Sequence, residues 1–276
     1  MNMKWCFAAW GFKQMTLAEY LDVARSMGIE YVEMHCLGTR PLTLKFDFDI
    51  PLTMRVDLPD PEIETIRTLC ADKGVKIVVL ATGNDFLTLD QGELQRNVES
   101  VYEYVDLAVK LDVGLVRLLP YAGWPEQEPT EKTFEQVSTA FHDAGTYAES
   151  KGVALAIENH GGVTATVQNI RKLFAMTDCK AVGLNFDPAN FHACSEDPLH
   201  VIDELAQDFV YCHLKDSQTP KPEPKFCAVG DGVLDYAQII GKLKQVYDGY
   251  LAIEYERVED VVEGTQRSLD YLKSIT

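Results

Sequence analysis

The chain has 276 residues, 46% hydrophobic and 25% charged, an ordinary globular composition with enough material for one large α/β domain or two small ones. Its formal net charge of −18 opposes phosphate backbones and anionic bilayers, so nucleic acid and membrane are poor partners. Some of that acid is instead available to hold a cation.

The opening MNMKWCFAAWGFKQ lacks a long apolar core and a small-residue cleavage site. No run approaches the roughly 20 apolar residues that span a bilayer. The seven cysteines are scattered without a CxxC, which reads as reduced thiols and a cytoplasmic location. Cys194 and Cys227 have no Cys or His at finger spacing, so a structural zinc site on them is disfavoured.

WCFAAW (5–10) predicts strand 1, followed by a helix over 16–27. Thr16 and Glu19 form a capping box and Gly28 closes that helix. YVEMH (31–35) predicts strand 2. The long connection 36–59 follows, in which LTLKFDFDI alternates like a small hairpin. A helix over 60–73 stops at Lys73-Gly74 and leads into KIVVLAT (76–82). A helix over 90–110 precedes LVRLLP (115–120). Another, over 130–150, stops at Lys151-Gly152 before ALAIEN (154–159). The pattern continues with a helix over 164–176, VGLNFD (182–187), a helix over 196–207 and FVYCHLKD (209–216). A second long connection, 217–234, leads to a helix over 235–247, YLAIEYE (250–256) and a last helix over 258–274.

Strict strand–helix alternation implies a parallel sheet, and eight repeats in a chain of this length fit a closed (β/α)8 TIM barrel, one domain over residues 1–276. An open doubly wound sheet would carry a glycine-rich phosphate turn after strand 1, and AAWGFKQ is not GxGxxG. Both long connections leave C-terminal strand ends, where barrel active sites lie, and are candidates for lid or substrate-binding roles.

Side chains alternate faces along a strand. One face is apolar throughout: Val32 and Met34, Val116 and Leu118, Leu155 and Ile157, Leu184 and Phe186, Cys212 and Leu214, Leu251 and Ile253. It should meet the helices. The other face carries small residues and then polar ones: Glu33 and His35, Arg117, Glu158, Asn185 and Asp187, His213 and Lys215, Glu254 and Glu256. In a closed barrel this face points to the axis, so Glu158, Asp187, His213 and Glu254 should converge at the mouth. Three carboxylates crowded on one axis need a counter-charge. A divalent ion supplies it, and an oxygen-rich set with one imidazole suits Mn²⁺ foremost, or Mg²⁺, Co²⁺ or Zn²⁺. A network in which Arg117 and Lys215 neutralise the acids is the structural alternative.

LAIENHG, VGLNFDPANF, VYCHLKD and LAIEYE resemble, in order and spacing, the sugar phosphate isomerase/epimerase family of xylose isomerase-like barrels. That family includes ketose 3-epimerases, hydroxypyruvate isomerase, inosose dehydratase and endonuclease IV. The resemblance runs from GIEYVEMH to the last helix. It implies a metal site on Glu158, Asp187, His213 and Glu254, the same four residues. It also implies acid and base roles for Glu158 and Glu254. Many relatives carry a histidine three residues after the strand-6 aspartate; here that position is Asn190, with His192 beyond it.

The expected function is a divalent-metal-dependent isomerase or epimerase that moves a proton beside the carbonyl of a small keto-sugar or polyol ketone. His35, Arg117, His160, Asn190 and Lys215 are the candidate substrate-binding residues. Trp10, Trp124 and Phe7 are candidate apolar walls. His160 could also cap the next helix, and Lys215 could pair with Asp216 or another acid. The second reading is a lyase that expels a β-leaving group from an inosose or 3-keto-glycoside, with His160 or His35 as the acid. An abasic-site endonuclease needs more metal ligands than this chain's six histidines suggest, since His142 and His200 fall in helical stretches. A metal-free carbohydrate-binding barrel is the remaining reading. The expected partner is a small carbohydrate; a homo-oligomer is compatible with the sequence.

Overall fold

The computed structural model describes residues 3–37, 52–121, 128–219 and 225–276. The hairpin expected within 36–59, Trp124 and part of the second long connection lie outside the described residues.

Eight parallel strands form the centre: β1 (Lys4–Phe7), β2 (Tyr31–Leu37), β3 (Lys76–Thr82), β4 (Leu115–Leu118), β5 (Ala154–Glu158), β6 (Val182–Phe186), β7 (Phe209–Leu214) and β8 (Tyr250–Ile253). Each pairs with its sequence neighbour. The circle closes through β1, which pairs with β8 (Cys6 beside Ala252) and with β2 (Cys6 beside Tyr31). The fold is the (β/α)8 TIM barrel that the alternation predicts.

The helices are α1 (Leu17–Ser26), α2 (Asp60–Lys73), α3 (Gln91–Leu111), α4 (Glu131–Ser150), α5 (Val167–Thr177), α6 (Pro188–Ala193), α7 (Pro198–Leu205), α8 (Tyr236–Val246) and α9 (Val261–Ser274). The Thr16–Glu19 capping box is formed. Gly74 ends α2 with φ 64°, a left-handed conformation that costs glycine little. Among the described residues no helix is long and apolar enough to cross a membrane.

The two faces of the strands separate as their alternation requires. Val32, Leu155, Ile157, Leu184, Phe186 and Ile253 are buried in the main core between barrel and helices. Cys6, Val79, Ala156, Tyr211 and Ala252 form a second cluster inside the barrel. The alanines leave room on the axis for the Tyr211 ring, which meets the His213 ring edge-on at 5.1 Å. The polar inward residues stand at the C-terminal end.

Four departures bear on the site. First, β1 stops at Phe7, and Trp10–Phe12 form a 3-10 turn. A Cβ at Gly11 would lie 1.9 Å from the Tyr255 carbonyl oxygen, so the chain after β1 is pressed onto the chain after β8. Second, Thr53–Arg55, within the expected connection 36–59, adds a short strand beside β2. Third, the expected strand 209–216 breaks at Lys215, and Asp216–Ser217 pairs antiparallel with Phe226–Cys227. The buried Asp216 carboxylate accepts hydrogen bonds from the backbone of Ser217, Gly230, Gly232 and Leu234, which fixes this connection. Fourth, α6 begins directly after β6 because Asp187 caps it and Pro188 starts it.

The close approach at Gly11 gives a direct test. G11A must push the 3-10 turn away from Tyr255, and overpacking of this kind costs about 1–3 kcal/mol. Urea denaturation should show that loss; an unchanged midpoint would contradict the contact.

Candidate metal centre

Glu158 is the last residue of β5, and Asp187 and Glu254 directly follow β6 and β8; His213 lies near the end of β7. Register sets them side by side: Glu158 is opposite Asn185, and His213 is opposite Ala252. One ligand-type atom from each of the four lies within 4.8 Å of the others. None of the four is more than 6% exposed.

Local chemistry holds each side chain. Asp187 spends Oδ1 on the backbone N–H groups of Ala189 (2.8 Å) and Asn190 (3.0 Å), capping α6. Its Oδ2 is left for the cluster. Asn159 points to a backbone partner, not into the mouth. It donates to the Asp187 carbonyl (2.9 Å) and accepts from the Asp187 N–H (2.8 Å), locking the ends of β5 and β6 together. Asn190 donates to Glu158 Oε1 at 3.1 Å, and Arg117 Nη1 lies 3.2 Å from Glu158 Oε2. His213 Nδ1 lies 3.3 Å from Glu254 Oε2 and 3.8 Å from Glu158 Oε1.

Lys215 is buried among acids: its Nζ is 3.0 Å from Asp187 Oδ2, 3.1 Å from Glu254 Oε2 and 3.0 Å from Glu256 Oε1. The Phe226 ring lies 5.0 Å away on the other side. Lys215 therefore pairs with nearby acids and not with Asp216.

The cluster's electrostatics follow from this crowding. Five carboxylates (Glu33, Glu158, Asp187, Glu254, Glu256) face two permanent cations, Arg117 and Lys215. Burial, reinforced by the charges of Glu254 and Glu158, pushes Asp187 up to about 6 against the pull of Lys215. Burial also acts to raise Glu254, but Lys215 and His213 outweigh it and hold Glu254 well below the usual carboxylate range. Burial acts to lower His213, and Glu254, Glu33 and Glu158 reverse the sign, holding it well above the ordinary imidazole value. Each shift reports a group surrounded by unlike or like charge at short range.

The donor set fits a divalent ion. Asp187 Oδ2, His213 Nδ1 and Glu254 Oε2 are all buried without a hydrogen-bond partner. Buried polar atoms are normally satisfied. Three ligand-type atoms that converge on one point without a well-directed hydrogen bond suit a divalent ion, and in this arrangement Lys215 Nζ stands 3.0 and 3.1 Å from the two carboxylate oxygens among them.

A cavity of about 260 Å³ opens over the cluster. It is lined by His35, Arg117, Glu158, His160, Lys215 and Glu254, together with Trp10, Thr53, Thr82 and Glu256. The Trp10 ring meets His35 edge-on at 5.5 Å. Phe7 is not a wall; it packs outward in the main core. Burial lowers His35 to about 4, so its imidazole is neutral at ordinary pH. His35 Nε2 has no hydrogen-bond partner. The backbone N–H of His160 donates to Thr164 Oγ1 at 3.0 Å, while the residue lines the cavity. Asn190 reaches the site through Glu158 and does not line the cavity.

The sequence places Glu33 and Glu256 on the axis-facing side but does not count them with the cluster they join. The inward parity of β2 and β8 marks both, but parity alone does not say which inward acid finds a partner.

The chain belongs to the xylose isomerase-like TIM barrel family, whose sequence pattern matches residues 21–275. An inosose dehydratase from Clostridium perfringens is 28% identical over 166 residues, covering 53% of this chain and 56% of that protein. The chain thus spans about half the length of the curated relatives it matches. A probable 3-DHS dehydratase from Bacillus anthracis superposes with a TM-score of 0.76 at 15% identity, over 97% of this chain and 99% of that one. A xylose isomerase-like TIM barrel protein from Mycobacterium smegmatis, solved in complex with magnesium, gives 0.76 at 18% identity, over 99% and 96%. The two structural likenesses concern the fold.

Removing Lys215, which touches three of the acids, should be costly. K215M leaves buried carboxylates uncompensated and should destabilise the metal-free protein by about 3–5 kcal/mol. Added Mn²⁺ should return much of that loss. Urea titrations with and without the ion measure both; equal stability of K215M and the parent chain would contradict the charge account.

Proposed function

We propose that this chain is a metal-dependent enzyme that removes the proton beside the carbonyl of a small uncharged keto-polyol and then expels a β-hydroxyl as water. The convergence of three orphaned ligand atoms beneath a small cavity carries the reading. A divalent ion bound by Glu158, Asp187, His213 and Glu254 supplies an electrophile that polarises the carbonyl and acidifies the neighbouring C–H.

The chain's own residues do the rest. Glu158 and Glu254 flank His213 Nδ1 and both line the cavity, so a carboxylate is in reach of the C–H from either side. Asn190 and Arg117 hold both oxygens of Glu158, which fixes its direction. In the elimination, the C–H bond breaks toward the carboxylate, its electron pair forms the new C=C bond, and the C–O bond to the β-hydroxyl breaks. That hydroxyl leaves with a proton as water. Of the two histidines lining the cavity, His160 is the one assigned to supply the proton, because burial keeps His35 neutral. His35 is assigned to a substrate hydroxyl through its unpartnered Nε2.

The substrate class follows from charge. Arg117 and Lys215, the lysine and arginine lining the cavity among the described residues, are both engaged by carboxylates. A phosphate or carboxylate on the substrate would meet an acidic mouth with its cations already committed. A cavity of about 260 Å³ falls below the usual range for drug-sized ligands, which suits one sugar-sized ring. The inosose dehydratase relative supports the elimination outcome. The paired placement of Glu158 and Glu254 favours a second outcome, isomerisation or epimerisation, in which the second carboxylate returns the proton.

Incubation with inososes, 3-keto-glycosides and ketoses in D₂O with Mn²⁺ tests the reading. Deuterium should enter beside the carbonyl, and the dehydration product should be lighter by one water; isomerisation would keep the mass of the skeleton. EDTA should abolish both signals. E158Q should slow exchange at least about 100-fold, the usual weight of a general base. Absence of both exchange and water loss with every substrate of the panel would overturn the proposal.

A further inference from the structure

The inward face of β2 carries an acid that does not line the cavity. Glu33 sits one inward position nearer the N-terminal end of the barrel than His35 and is fully buried. Its Oε2 lies 3.1 Å from His213 Nε2. Its Oε1 faces Arg117 Nη2 at 3.9 Å, an ion pair without a hydrogen bond. Arg117 continues the chain, with Nη1 3.2 Å from Glu158 Oε2.

An imidazole that ligates a cation through one nitrogen keeps its proton on the other. A carboxylate acceptor opposite that second nitrogen fixes both the proton and the ring plane. Here the acceptor stands at Nε2, while Nδ1 has no hydrogen-bond partner and faces Glu254 and Glu158. A buried carboxylate is otherwise expensive to keep. We infer that Glu33 is a positioning residue for the cation site: it holds His213 with Nε2–H toward itself and Nδ1 toward the ion, and through Arg117 it steadies Glu158. It thereby serves two of the four ligands from beneath without touching substrate.

This inference rests on the metal-binding reading above, and the test separates the two. Mn²⁺ affinity is measured by calorimetry on the parent chain, E33Q and E33L. E33Q keeps the volume and an oxygen that accepts from Nε2–H, but loses the charge facing Arg117. E33L loses both. Affinity should fall about 10-fold in E33Q and about 100-fold in E33L, the range typical for partners of metal-ligating histidines. That graded order, with partial rescue by Gln, is not expected of a residue that only fills space. In the parent chain loaded with Zn²⁺ and labelled with ¹⁵N-histidine, His213 should carry its proton on Nε2 and the ion on Nδ1. Ligation through Nε2, or Mn²⁺ affinity in E33Q equal to that of the parent, would overturn the role of Glu33 alone. No ion bound by the parent chain would overturn this role and the metal reading together. If E33L does not fold, E33Q and the parent spectrum still decide.

Discussion

Glu33, Glu158, Asp187, Glu254 and Glu256 bring five carboxylates into one buried end of the barrel, against two permanent cations. Among the described residues the carboxylates outnumber these cations by three; in the ion-free chain a protonated His213 answers part of that excess, and a divalent ion on a neutral His213 would answer more of it. Like charges at such range do not stay ionised without compensation. The cluster shows the strain of it: Asp187 is pushed up to about 6, while Lys215 and His213 are held well above their ordinary values. Arg117 and Lys215 give a partial answer, so the neutralising network that is the structural alternative to a metal site is present. The two are not rivals. The fixed cations let the carboxylates coexist in the folded chain, and three ligand atoms are held by ion pairs alone, without a hydrogen bond of good geometry.

The fold makes this crowding possible by dividing labour between two faces of the same strands. Outward residues such as Leu155, Ile157 and Leu184 supply the apolar core under the helices. Inward residues then need not stabilise the barrel through apolar contact near its mouth. Asn159 shows how the division is kept at the strand ends: it clamps β5 to β6 through the Asp187 backbone, so that Glu158 and Asp187 stand beside each other. Asp187 serves both sides, capping α6 with one oxygen and presenting the other.

The barrel and the convergence of Glu158, Asp187, His213 and Glu254 were legible because both follow from strict periods: strand–helix alternation along the chain and in–out alternation along each strand. What the periods do not contain was not legible. The break after β7 depends on Asp216 gathering four distant backbone N–H groups. The end of β1 depends on Gly11 lying against Tyr255 from the far end of the sequence. The partners of Lys215 and the depth of Glu33 depend on which inward side chains meet across the axis. Parity gives the face; only closure of the barrel gives the neighbour.

The central claim is that four side chains at this mouth hold one divalent ion. Diffraction from crystals of the parent chain soaked in Mn²⁺, recorded for anomalous scattering, tests it most directly. The account predicts one anomalous peak per chain, bonded to Glu158, Asp187, Glu254 and Nδ1 of His213, with Lys215 Nζ turned away from Asp187 toward Glu256. No peak at the mouth, or manganese bound elsewhere while Lys215 keeps all three of its acids, would contradict it.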